Sequence, residues 1–317
     1  SITDKKDIKY YNSKADYINL YSSNSKLILK DAKYLNDLYE KILLQLSRVL
    51  NEVNKEKYSV KFWRILIGPW LGMFLYIYFL KWKTINRIEN KKKKYKVKIY
   101  KIKSNQFVPN DMEQFSKFIK SEVWQQKISQ KVCLNFFSKE NIIYKKNLNL
   151  KYPKNENHSF FKKIIIRIIN NLTTKKNNKV FIINSYLGFF NEALLNLKLF
   201  QLPTLHLKEI ITKKDQVSFK KRNTIKEYFN KYKSKNKFEN NIINDFIDEI
   251  PISFIEGFKN LDYKYYKLNY PTKPKIIFSS NFHRNTLLSY YIGKKIESGS
   301  KLAIGQHGGL YGAALFS

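Results

Sequence analysis

The chain has 317 residues, 43% of them hydrophobic and 16% aromatic, enough for a packed core and too apolar for a disordered polypeptide. Its 60 Lys and Arg face 25 Asp and Glu, a formal charge of +35, but the lysines are spread along the whole length among Asn, Ile, Tyr and Phe. Dispersed cations favour attraction to anionic headgroups or phosphorylated substrates and argue against specific nucleic-acid binding.

Residues 1–30 are polar, with a short strand expected at Tyr17–Tyr21 and no apolar stretch of the kind a secretory signal needs. From Asp31 to Val53, Leu35, Leu38, Ile42, Leu46, Val49 and Leu50 recur near helical spacing, which predicts an amphipathic helix capped by Asp31. Between Arg64 and Lys81 lie 16 uncharged, mostly apolar residues. As a helix they span about 24 Å, short of the roughly 30 Å hydrocarbon core, and Gly68-Pro69 interrupts them near the start. The expectation is a core helix packed on the first one, with an interfacial helix or a true membrane span as alternatives.

The run KYKVKIYKIK, Lys94–Lys103, alternates with a period near two and predicts a half-exposed strand. VPNDMEQFSKFIKSEVWQQKI then predicts a helix capped by Asn110 or Asp111, with Phe115, Phe118, Ile119 and Trp124 inward. A loosely ordered connector is expected near 138–160, with a mostly apolar run at Ile164–Ile169. A βα rhythm follows, with a strand at Lys179–Asn184, a helix at Phe189–Phe200 and a strand at Leu202–Leu207. Exposed basic helices are expected over Lys208–Asn241, and a break at Pro251. The end reads as a βαβ unit: a buried strand at Pro274–Ser280, a helix from Asn285 to Glu297 closed by Gly299, and a buried strand at Lys301–Gly305. The fold class is therefore α/β, a Rossmann-like parallel sheet with helices, preceded by a helical N-terminal region. The division expected is a mainly helical region over 1–137 with at least one strand or hairpin, and a Rossmann-like region over 138–317.

Six of the ten glycines fall within the last 25 positions, at Gly293, Gly299, Gly305, Gly308, Gly309 and Gly312. Such clustering marks tight turns or close approach of backbone to a ligand. In parallel α/β sheets, ligands bind beyond the carboxyl ends of the strands. Those ends carry Asn184, Ser185 and Tyr186, then Ser279, Ser280 and Asn281, then Gln306, His307, Gly308 and Gly309. His307 is suited to acid–base work or to pairing with phosphate, and Gly308-Gly309 leaves backbone N–H groups free to meet an anion. His283 is a second candidate for this cleft, whereas His206 and His158 read as structural and solvent-exposed. The spacing matches neither a Walker loop nor a dinucleotide fingerprint. One cysteine, Cys133, excludes an internal disulfide, and the four separated histidines give no metal-binding pair, so no cofactor or metal is expected.

FWRILIGPWL (Phe62–Leu71), FVPNDMEQF (Phe107–Phe115), IPISFIEGF (Ile250–Phe258), KPKIIFSSN and KLAIGQHGGLYG resemble, in order and across nearly the whole chain, the transferases encoded in O-antigen and other surface-polysaccharide loci. The QHG element is also similar to one in capsule glycosyltransferases of GT-B architecture. The resemblance implies a GT-B-like glycosyltransferase that moves a sugar from a nucleotide-activated donor to a glycan or lipid-linked acceptor. It would be cytoplasmic, or peripheral at the inner face of the membrane. The implied roles are His307 as catalytic residue, with Ser280, Asn281, Gln306, Gly308 and Gly309 binding substrate or donor. Leu310 stands where family members often carry a polar residue. Family members also continue well past this motif, so the expectation is a fragment lacking the C-terminal nucleotide-binding domain and inactive alone. No carboxylate is singled out as base; Asp245, Asp248, Glu249 and Glu256 qualify by chemistry only. Competing readings are a polyol-phosphate-type transferase and a non-enzymatic basic protein that binds membrane or nucleic acid.

Overall fold

The computed structural model describes residues 20, 24–90, 96–100, 102, 106–145, 178–201, 215–232 and 234–305. The strands expected at Tyr17–Tyr21 and Leu202–Leu207, the run Ile164–Ile169, and residues His158, His206, Gln306, His307, Gly308 and Gly309 lie outside them.

Helix α1 (Ser25–Asn54) begins six residues before Asp31, because the Asn24 side chain accepts from the Leu27 N–H at 3.0 Å and supplies the cap. Asp31 instead pairs with Lys83. The apolar stretch forms two helices, α2 (Val60–Leu66) and α3 (Gly68–Glu89), bent by 63° where Gly68-Pro69 interrupts it. Pro69, which has no N–H to donate, sits in the first turn of α3, where that donor is not required. Among the described residues no single helix is long and apolar enough to cross a membrane. Trp63, Trp70, Phe74 and Tyr78 are fully buried in protein, each stabilising the fold by roughly 2–3 kcal/mol relative to exposure.

Strand β1 (Val97–Tyr100) leads to α4 (Met112–Phe118) and α5 (Glu122–Leu134), where one continuous helix was expected. Asp111 caps the first by accepting from the Gln114 N–H at 2.8 Å, and Ser121 caps the second anew. The expected connector contains β2 (Ile142–Lys145), which runs parallel to β1 with Val97 opposite Ile142. Four residues among lysines and asparagines carry too short a pattern to read as a strand.

Strand β3 (Val180–Ile182) is followed by α6 (Phe189–Lys198), α7 (Phe219–Asn230), α8 (Lys237–Glu249) and α9 (Phe258–Tyr265). The basic helices expected to be exposed are part of the core: α7 buries Arg222, Ile225 and Phe229, and α8 buries Phe238, Ile242, Ile243, Phe246 and Ile247. The last elements are β4 (Ile276–Ser279), α10 (Thr286–Glu297) and β5 (Lys301–Ile304). Strands β3, β4 and β5 form a parallel sheet in that order, with Phe181 opposite Ile277 and Ile277 opposite Leu302. The βαβ reading thus holds, but β5 is largely exposed where burial was expected. Among the described residues it borders β4 on one side only.

Helix α10 joins the two parts of the core. Leu287 and Tyr290 belong to the large cluster that α1, α2, α3, α4, α5, α7, α8 and α9 build, while Leu288, Tyr291 and Ile292 pack with Phe181, Ile183 and Ile277 of the sheet. Gly293 lets α10 approach α2: a Cβ there would lie 2.7 Å from the Phe62 ring. That ring cannot yield, being stacked on Tyr58 and held edge-on by Trp63 and Tyr290. The N-terminus of α10 is tied to α4, since Thr286 Oγ accepts from the Met112 N–H at 2.9 Å and donates to Glu113 Oε2 at 3.2 Å.

Two buried ion pairs fix the helices around this core. The Arg222 guanidinium grips Glu256 through two bonds of 2.9 and 3.0 Å and also donates to the carbonyls of Ile247 and Ile250. Glu249, fully buried, lies 2.7 Å from Lys127 and 3.1 Å from Lys131. Burial opposes its charge, but the two ammonium groups outweigh burial and hold its carboxyl below the usual range.

Gly293→Val is expected to lower unfolding free energy by about 1–3 kcal/mol, because the added methyls meet a ring with no room to move; a urea titration measures this. Glu249→Gln leaves Lys127 buried without its charge partner and should cost about 3–5 kcal/mol in the same titration. The folded-state pKa of Glu249 lies below its unfolded value, so its contribution is present above the ordinary carboxylate pKa and is lost as pH falls through the lower one. The acid limb of stability against pH should therefore be shallower in Glu249→Gln than in the wild type.

Candidate functional site

The three parallel strands end together, so their exits form one carboxyl edge. After β3 the backbone takes left-handed φ values at Asn184 (51°), Tyr186 (60°) and Gly188 (77°). Asn and Gly tolerate that region, whereas Tyr does not, and a strained non-glycine residue costs on the order of 1–3 kcal/mol unless its surroundings hold it. Tyr186 is held here: its hydroxyl accepts from Asn281 Nδ2 across the edge.

Ser280 and Asn281 stand at this edge beside Asn184 and Ser185, the juxtaposition the strand ends predicted. Ser280 Oγ donates to the Ser185 carbonyl at 3.0 Å, and Asn184 Nδ2 donates to the Asn281 carbonyl at 3.1 Å. The Ser280 side chain therefore clasps β3 to β4. Asn281 Oδ1 and Ser279 Oγ are both buried with no hydrogen-bond partner among the described residues. Unsatisfied buried polar atoms are uncommon because each forfeits its hydration, so a pair at one strand end marks a place where a polar ligand would be stabilising.

The third strand delivers the chain to the same edge. Gly305 donates its N–H to the Ser279 carbonyl at 3.1 Å, immediately before Gln306. A Cβ on Gly305 would lie 2.3 Å from Ser280 Oγ and 2.8 Å from the Phe278 ring, so glycine is what lets β5 leave the sheet against Ser280. Three of the six clustered glycines thus have structural causes: helix packing at Gly293, the left-handed residue after α10 at Gly299 (φ 92°), and close approach at Gly305. Gly308, Gly309 and Gly312 lie outside the described residues.

The four carboxylates named on chemistry alone belong to the helical core. Glu249 and Glu256 are in the buried pairs above, Asp248 pairs with Lys226 at 2.7 Å, and Asp245 accepts from the Tyr78 hydroxyl at 2.6 Å. Burial raises the Asp245 carboxyl above its usual range, partly offset by Lys131. The carboxylate that does reach the sheet edge is Glu192 of α6, which accepts from Ser185 Oγ at 2.7 Å. The sequence held one signal for it: Glu192 lies in the first turn of the helix that follows β3, where a carboxylate points back toward the strand end. His283, two residues past Asn281, is half-buried, and burial followed by the Arg284 charge lowers its pKa, so it is neutral at neutral pH. Among the described residues no group of three or more His, Cys, Asp and Glu side chains is placed to hold a metal ion.

A family model described as LIC12162 family transferase matches residues 4–317, and the chain belongs to that family. The comparison with curated proteins and the comparison with solved structures each return no match.

Proposed function

We propose that this transferase moves a glycosyl group from a nucleotide-activated sugar to a glycan or lipid-linked acceptor in surface-polysaccharide assembly. Its βαβ unit would belong to a GT-B-like fold, and the reaction would take place at the carboxyl edge of β3, β4 and β5. The observation that carries this reading is the convergence there of Asn184, Ser185, Ser280 and Asn281 with the exit of β5, whose next residues are Gln306, His307, Gly308 and Gly309.

In the reaction, the acceptor hydroxyl oxygen forms a bond to the anomeric carbon as the bond from that carbon to the donor phosphate oxygen breaks. The hydroxyl proton goes to a base, and the nucleotide phosphate leaves as an anion. His307 is assigned either the proton or the leaving phosphate, since imidazole takes up a proton near neutrality and imidazolium pairs with phosphate. Gly308 and Gly309 leave room for a diphosphate against backbone N–H groups. Asn281 and Gln306 would orient sugar hydroxyls, with Asn281 Oδ1 accepting from one of them, and Ser280 would hold the strand end in register.

A panel of CMP-, UDP-, GDP- and CDP-linked donors tested by thermal shift on the full-length gene product examines this directly. At least one sugar nucleotide should raise the melting temperature of the wild type, by an amount equivalent to about 2.7 kcal/mol at a hundredfold excess over Kd. His307→Ala should abolish that shift, and Asn281→Ala should reduce it. No shift by any donor, or an equal shift in His307→Ala, contradicts the reading.

A further inference from the structure

Transfer to a hydroxyl needs a group that takes the hydroxyl proton. Asn184, Ser185, Ser280 and Asn281 offer only amides and hydroxyls at the sheet edge, and these are poor bases. Glu192 is the carboxylate there. It lies in the first turn of α6, and its Oε2 accepts from Ser185 Oγ at 2.7 Å. Ser185 is a buried hub between the two strand ends: its hydroxyl also accepts from the Leu187 N–H at 3.2 Å, and its carbonyl accepts from Ser280 Oγ at 3.0 Å. The single hydroxyl proton of Ser185 is thus directed at Glu192 and fixes how the carboxylate is turned. Glu192 is partly exposed, and its Oε1 makes no hydrogen bond or ion pair among the described residues. The carboxylates of the helical core differ, since Glu249 and Glu256 have their oxygens taken up by cations. Glu113, at the start of α10, has its Oε2 taken up by the Thr286 N–H and hydroxyl at 3.4 and 3.2 Å. Glu192 alone among these four is both oriented by a neighbour and left with one oxygen for a proton.

We propose that Glu192 is the general base of the transfer and that Ser185 is the residue that positions it. Glu192 Oε1 takes the proton of the acceptor hydroxyl while the acceptor oxygen bonds to the transferred group. The bond from that group to the nucleotide phosphate oxygen breaks, and its electron pair leaves with the phosphate. His307 then serves the leaving phosphate, not the proton. The inference rests on the proposed function for the place of the reaction and for a hydroxyl acceptor. It holds whether the group that moves is a glycosyl group or a phosphodiester.

The experiment uses the full-length gene product and the same CMP-, UDP-, GDP- and CDP-linked donors, with water or added glycerol as the hydroxyl, and reads both the thermal shift and the release of free nucleotide. Glu192→Gln should keep the donor's thermal shift and lower kcat for release by about a hundredfold or more. In Glu192→Ala, added formate should restore release by at least about tenfold, while chloride at equal ionic strength should not, because a small carboxylate can replace a missing base. A merely structural role for Glu192 predicts no response to formate. If Glu192→Gln melts below the wild type, the comparison of formate with chloride in Glu192→Ala decides. Release by Glu192→Gln at the wild-type rate, loss of the donor's shift together with release, no response to formate, or no release by a wild type that binds a donor would each overturn the inference and leave the donor-binding reading standing. If no donor shifts the wild type, the proposed function fails, and this assignment fails with it.

Discussion

Helix α10 is buried on all sides over most of its length, and the placement of everything else follows from that. Its residues from Thr286 to Gly293 are all buried, with one side against α2 and α9 and the other against the sheet. A helix buried on every side needs packing on every side, so neither the helical layer nor the sheet is complete without it. Gly293 against Phe62 sets how closely α10 meets α2, and Thr286 with Glu113 and Met112 sets its position along its own axis. The strand that precedes α10 and the strand that follows it then have little freedom, which is how helices distant from the sheet edge fix the position of Ser280 and Asn281.

The stretches that carry the family likeness converge on this same region. FWRILIGPWL supplies Phe62, and FVPNDMEQF supplies Met112 and Glu113. IPISFIEGF pairs with FVPNDMEQF through the N–H groups of Ile252 and Ser253, which donate to the carbonyls of Pro109 and Asn110 at 2.9 Å. Gly257, in the same stretch, has no room for a Cβ, which would lie 2.8 Å from Asp215. These segments build the frame around α10. Only KPKIIFSSN and KLAIGQHGGLYG lead to the candidate site, so the functional part of the likeness is a small share of its length.

What was legible in the sequence followed from strong local signals. Strands β3, β4 and β5 are short apolar runs bounded by polar residues, and helical spacing from about Asn285 to Glu297 stops at Gly299, so the βαβ unit and the place of Ser280 and Asn281 at a strand end could be read directly. Features that depend on distant partners could not. The burial of α7 rests on Arg222 meeting Glu256, 34 residues away, and a basic segment looks solvated until that partner is known. Asp31 lies inside α1, whose cap is Asn24, and pairs with Lys83, a partner 52 residues away that its sequence neighbours do not announce. Strand β2 is visible only through its pairing with β1.

Native-state hydrogen exchange on the amides of β4 and β5, compared with those of α2 and α3, tests whether α10 makes the helices and the sheet one cooperative unit. If it does, the most protected amides of Ile277, Leu302, Trp63 and Phe74 exchange with the same opening free energy, and Phe62→Ala lowers all of them together. Sheet amides that open at much lower free energy than the helices, and do not respond to Phe62→Ala, would contradict it.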